Sequence, residues 1–115
     1  MNNIKNRVQL IGNLGNDPVV KTIGTGKKLA RFSLATSESF KSNKGDKIEN
    51  TQWHNIVAWE NLAEIIDKYF KKGAQVAIEG RLSYREYDGE NGTKKYITEI
   101  IANEVLLLSN RKNSN

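Results

Sequence analysis

Apolar and polar residues alternate with period two in three separate stretches, and that rhythm limits the chain there to half-buried β-strands. In RVQLIG, Val8 and Leu10 share one face while Arg7 and Gln9 share the other. In LARFSLAT, Ala30, Phe32 and Leu34 alternate with Arg31 and Ser33. In QVAIEGRLSYREY, Val76, Ile78, Leu82 and Tyr84 are expected inward, with Gln75, Glu79, Arg81 and Arg85 outward. Gly80 falls on the inward face of that strand, where a missing side chain suits a bend at a barrel corner. A further strand, KYITEIIANEVLLL, is apolar on both faces and is predicted to be buried.

One segment changes period. In NLAEIIDKYFKKG, Leu62, Ile65, Ile66, Tyr69 and Phe70 recur at helical spacing. Asn61 is the predicted cap, with Glu64 three residues on as in a capping box. Lys68, Lys71 and Lys72 are expected in the last turn, with Gly73 ending the helix.

The connectors NLGNDPVV, TIGTGKK, KSNKGDKIEN and DGENGTKK are polar and contain glycine, as turns do. The last is expected to join two long strands as a protruding hairpin. The order is therefore strand, strand, strand, helix, strand, strand. That is the layout of the all-β OB-fold, a five-stranded Greek-key barrel with one short α-helix between strands 3 and 4. Residues 1–108 are predicted to form this single domain, and 109–115 a short disordered polar tail. A chain of 115 residues is long enough for one core without staples.

Several kinds of chemistry lack their residues. There is no cysteine, so no disulfide framework, thiolate zinc site or cysteine nucleophile. His54 is the only histidine and cannot anchor a zinc site or complete a triad; it reads as a packed or interface residue. Gly24 to Lys28, GTGKK, fails the phosphate-loop spacing, because Lys21 and Lys28 stand where that motif needs glycine and a hydroxyl residue. Glu86, Asp88 and Glu90 cluster at one hairpin tip, which is turn chemistry and not a two-metal centre. No enzyme activity, cofactor or metal is expected. No signal peptide or membrane-length apolar run is present, so the chain reads as a soluble protein of a reducing compartment.

TQWHNIVAW holds both tryptophans. On a strand, Ile56 and Ala58 fit the interior while Trp53, Asn55, Val57 and Trp59 share the other face. Taken alone, that face suits either an oligomer interface or an aromatic ligand surface. Phe40 and Tyr87 end strands beside lysine-rich loops, with Lys41 and Lys44 next to Phe40 and Arg85 on the parity of Tyr87. Buried rings need no such company. Unpaired bases do: they stack on aromatic faces, and their phosphates need cations alongside. The net charge of +5 favours a polyanionic partner.

VQLIGNLGNDP, FSLATSESF, TQWHNIVAW, LAEIIDKYFKKGAQVAIEGRL and the TEI of YITEI closely resemble the bacterial single-stranded DNA-binding protein family, from about Val8 to Leu106. The resemblance implies an OB-fold that binds single-stranded DNA in replication, recombination and repair. It also implies a homotetramer, a dimer of dimers, in the bacterial cytoplasm with the nucleoid. By position, the stacking aromatics fall on Phe40, Trp53, Trp59 and Tyr87, and the basic contacts on Lys21, Lys72 and Arg85. His54 falls on a subunit contact, and Arg7, Gln75, Glu79 and Arg81 on interface strands. Phe40 and Tyr87 stand where the family commonly has tryptophan, Trp59 where it has phenylalanine, and Asn55 where arginine is frequent. Ala77 and Arg81 also differ from the common residue types. The sequence ends in NRKNSN, without the acidic tip through which the family recruits replication proteins. Two other readings keep the barrel: a dimeric assembly factor like the primosomal replication proteins, and an RNA-binding domain.

Overall fold

A computed structural model describes residues 4–109. After a 3-10 turn at Ile4–Asn6 come β1 (Val8–Leu14), β2 (Val19–Ile23), β3 (Lys27–Lys41), β4 (Lys47–Trp59), α1 (Asn61–Tyr69), β5 (Gln75–Asp88) and β6 (Lys94–Ser109). The sheet runs β1-β5-β6-β4-β3-β2, and pairing of β1 with β3 closes it into a barrel. Only β4 with β6 is parallel, at Ile56–Ile100 and Val57–Ile101. The predicted OB-fold is observed.

β2 was expected to be connector. It pairs with β3 from Val19–Arg31 to Ile23–Lys27, and β1 pairs with the same strand at Asn13–Ala35 and Leu14–Leu34. β1 and β2 are thus two halves of one strand, broken at Gly15–Pro18, and the barrel keeps its five strands. The break is stapled by side chains. Asn16 Oδ1 accepts from Ser33 N at 3.0 Å, and Asp17 Oδ1 from Lys72 N at 2.9 Å. In VVKTI only Val20 packs on the core, so there was no alternation to read.

The interior is apolar, with Leu34, Ile56, Ile66 and Val76 wholly enclosed. Helix α1 closes one end through Ala63 and Ile66, and just past its end the ring of Phe70 meets Phe32 edge-to-face at 5.9 Å. Ile65 and Tyr69, expected in the helix's apolar stripe, are exposed. The predicted cap also differs. Glu60 holds the N-cap position at φ 59°, with no side-chain cap hydrogen bond, and Asn61 is already helical. Glu60 N donates to Lys28 O at 2.8 Å, so a bond back to the start of β3 fixes the turn one residue early. The helix ends at Tyr69, leaving Lys71 and Lys72 beyond it, and Gly73 at φ 89° returns the chain to β1.

Gly80 is buried at a register shift in the β5–β6 ladder, as the bend predicted. A Cβ there would fall within 3.0 Å of the backbone of Ile101 and Ala102. Beyond it β5 leaves the barrel, so Leu82 and Tyr84, expected inward, are exposed. Likewise β6 is not buried throughout: Leu106 and Leu108 face outward. Ser109, assigned to the tail, pairs with Gln75, and residues 110–115 lie outside the described residues. Among the described residues, no helix is long and apolar enough to cross a membrane.

Candidate nucleic-acid interface

The register of β3, β4, β5 and β6 builds one outward face. Trp59 lies opposite Leu29, Val57 opposite Arg31, Asn55 opposite Ser33 and Trp53 opposite Ala35. Because Val57 also pairs with Ile101, the face continues through Glu99 and Ile97 of β6 to Ser83 and Arg85 of β5. Trp53 is 62% exposed and Trp59 38%, whereas Ile56 and Ala58 are enclosed as expected. Val57, expected to lie open between the tryptophans, is buried on this face together with Leu29. Between the indoles the surface is filled at Val57, while Trp53 and Asn55 line an open cleft with Tyr96 and Ile97.

Trp53 rests on the chain break between β1 and β2. A Cβ on Gly15 would fall within 3.0 Å of two atoms of the indole's six-membered ring. Gly15 has no positive φ, so its lack of a side chain serves the ring and not the backbone. Gly15→Ala is expected to displace an exposed ring without unfolding the barrel. It should weaken oligo-dT binding in the wild type, and in a Trp53→Ala background it should change nothing further. A titration of the four variants gives this cycle directly.

Between the aromatics lies a charged cluster. Glu99, 5% exposed, is the one buried charged residue among the described residues. Its Oε2 accepts from Arg31 Nη1 at 2.6 Å and from Arg85 Nη2 at 3.0 Å. Burial pushes the Glu99 carboxyl up, but hydrogen bonds from Arg85 and Arg31, with their charges, pull it further down, and the net shift is below the ordinary value. The hydrogen bond to Glu99 and the carboxylate charge raise Arg85 in turn.

The sign of the linkage follows. A carboxyl with a depressed folded-state pKa stabilises the protein above the unfolded value, and that contribution disappears as pH falls through the folded one. Denaturant melts from neutral pH downward should show wild type losing stability below the ordinary carboxylate range more steeply than Glu99→Gln. Parallel curves would show that Glu99 makes no such contribution.

Arg31 was missed as a site residue. In LARFSLAT it is only the polar partner in an alternation, and its carboxylate is 68 residues away. It shares a cleft with Lys21, Asn16 and Asn55. Tyr87 is exposed on the parity of Arg85. Phe40 is 52% exposed opposite Ile48, on the ribbon face that carries Phe32 and Ile56 lower down. It is thus not on the face of the tryptophans but out along the β3–β4 arm. Lys41 ends that arm, and Lys44 sits in its turn, where Ser42 Oγ accepts from Lys44 N and Asp46 N, both at 3.2 Å. Lys72 is exposed beyond α1.

Of the residues assigned to a subunit interface, Arg7, Gln75 and Glu79 fall on another part of the surface, and Arg81, opposite Ile101 in the row of Val57, borders both. Gln9, Glu79 and Glu104 form one rung and Ile11, Ala77 and Leu106 the next. Arg7 pairs with Glu79 at 2.8 Å, and Arg81 lies in the same groove. Gln75 continues the row opposite Asn13. His54 is apart from them, its Nε2 2.9 Å from Thr36 Oγ1. Among the described residues, no group of three or more His, Cys, Asp or Glu is placed to hold a metal.

The model of the single-strand binding protein family matches residues 5–108. The chain belongs to the single-strand binding protein family. It is 50% identical over 104 residues to single-stranded DNA-binding protein 1 of Chlorobaculum tepidum, covering 90% of this chain and 64% of that protein. It is 45% identical over 106 residues to the single-stranded DNA-binding protein of Xanthomonas campestris, covering 62% of it. The chain therefore spans a little under two thirds of the length of these curated relatives. The family member solved as the Plasmodium falciparum SSB complex with ssDNA superposes with a TM-score of 0.84 at 37% identity, over 90% of this chain and 95% of the other.

Proposed function

We propose that this chain binds single-stranded DNA without sequence preference and protects it during replication, recombination and repair. One observation carries the reading: Trp53 and Trp59 lie open on the same outward face as Arg31 and Arg85. Every base has a π-face, so indoles accept any of them by stacking, and the guanidinium groups supply charge for phosphates. The Plasmodium relative with this fold is described as a complex with ssDNA. Lys21, Lys72, Lys41 and Lys44 extend the cationic track, with Phe40 and Tyr87 as outlying stacking rings.

Titration with oligo-dT should quench tryptophan emission, because both indoles are in the proposed path. Affinity should fall with salt at a slope near −0.7 per phosphate neutralised. Saturating oligo-dT that leaves the emission unchanged sinks the reading. Tighter binding to the matched RNA oligomer would move it to an RNA partner.

The same reading includes self-assembly into a homotetramer built as a dimer of dimers, in the nucleoid-associated cytoplasm of a bacterium. β1 pairs with β5 along Val8–Asn13 but with β3 only at Asn13 and Leu14, so its first residues keep a free edge. Beside that edge, Ile11 and Leu106 are each 60% exposed across Ala77. Leu82, Tyr84 and Tyr96 form a second exposed apolar strip on the β5–β6 hairpin. Two separate patches suit two kinds of contact. Ile11→Asp is expected to lower the assembly mass in light scattering while the far-ultraviolet spectrum stays that of the barrel. An unchanged mass would remove this face from the interface.

A further inference from the structure

Glu99 receives two arginines, although one would satisfy a buried carboxylate. It takes Arg31 through Nη1, and Arg85 through Nη2 at 3.0 Å and Nε at 3.5 Å. Each guanidinium carries five N–H donors, so both retain donors that no other side chain or backbone carbonyl among the described residues takes up. Their side chains remain 38% and 46% exposed, while that of Glu99 is 6% exposed beneath them. Two like charges would separate if left alone; the shared carboxylate holds them together on the face of the tryptophans.

We propose that Glu99 is a positioning residue for DNA binding, which rests on the function proposed above. It fixes Arg31 and Arg85 as one guanidinium pair, leaves their outer N–H groups for backbone phosphates, and reduces the pair's charge from two to one. Held side chains lose less freedom when a strand arrives. A pair of net charge one displaces fewer counterions than two free arginines, so Glu99 makes binding less sensitive to salt.

The experiment measures the salt dependence of oligo-dT affinity for wild type, Glu99→Gln, Arg31→Gln and the triple change Arg31→Gln, Arg85→Gln, Glu99→Gln against Arg31→Gln, Arg85→Gln. Glutamine keeps the shape of Glu99 and one acceptor. The Glu99→Gln slope should steepen by about 0.7, roughly a fivefold change in relative affinity over a tenfold range of salt, with tighter binding at the low end. In the background without the arginines, Glu99→Gln should leave the slope unmoved. A role in stability alone would weaken binding at every salt concentration and leave the slope as it was. An unchanged Glu99→Gln slope, or the same shift without the arginines, overturns the proposal. If Glu99→Gln does not fold, Arg31→Gln decides, since Arg85 still covers the carboxylate. Its slope should be shallower by about 0.7, and an unchanged one refutes the pairing. A wild type that leaves oligo-dT unbound removes the function itself, whereas normal binding with unmoved slopes removes only Glu99's part in it.

Discussion

Trp53→Ala is expected to weaken oligo-dT binding by about 1–3 kcal/mol, roughly five- to 150-fold, while the barrel stays folded. The two halves of that expectation come from one geometry. The ring is 62% exposed, and its floor is the backbone of Gly15, not an apolar side chain of the core. Removing it opens no interior cavity, and the neighbours that anchor β4, Ile56 and Ala58, keep all their contacts on the other face. What is lost is a flat surface for a base, which neither of the next two residues on that face of β4 supplies. Val57, the next residue but one on that face, is buried, and Asn55 between them hydrogen-bonds to Thr98 O at 3.4 Å. Trp59→Ala should lose less, because its ring already gives up more of its surface to its neighbours. Fluorescence anisotropy with labelled oligo-dT measures the loss, and thermal melts measure the fold. A Trp53→Ala protein that melts many degrees lower would show that the indole holds the barrel together.

The sequence carried the strands that have one wet and one dry face. Ala30, Phe32 and Leu34, or Val76 and Ile78, declare themselves by alternation because burial is the only demand on them. VVKTI was illegible for the same reason, since a strand paired along one side and exposed on most of its surface imposes no pattern. Leu82 and Tyr84 continued a true alternation past the point where the barrel ends, and only the bulge at Gly80 marks that point. Phe40 shows another limit. Its position in a motif placed it with the tryptophans, but an unbroken β3–β4 register puts it on the opposite face of the ribbon. For Glu99 the matching motif TEI was visible, yet a carboxylate inside a strand reads as a solvent-facing group. Its meaning lies in Arg31 and Arg85, 68 and 14 residues away, which no local rule connects. Glu60 was unreadable because its turn is fixed by a hydrogen bond to Lys28, a contact made by tertiary structure.

Gly12→Ala should be the most damaging of the small substitutions, at about 3 kcal/mol, the upper part of the range for overpacked sites. Gly12 has no positive φ, so alanine meets no backbone strain there. The obstacle is space. A Cβ would fall within 3.0 Å of the carbonyl of Ala35 and 3.2 Å from Thr36 Cγ2. A carbonyl of β3 cannot rotate aside like a side chain; the whole strand must move. This is the place where β1 crosses to β3, and the ladder there is two pairs long, Asn13–Ala35 and Leu14–Leu34. For a domain of this size the loss corresponds to a fall in melting temperature on the order of 10–20 °C. Circular dichroism melts test it, and a midpoint within a degree or two of wild type would mean that the seam is looser than its contacts require. The same seam carries the binding face. Gly15 N donates to Ser33 O at 2.9 Å just beyond it, and Trp53 rests on Gly15. Gly12→Ala should therefore lose stability and oligo-dT affinity together. Trp53→Ala should lose affinity alone, and the pair separates the contribution of the closed barrel from that of the ring it supports.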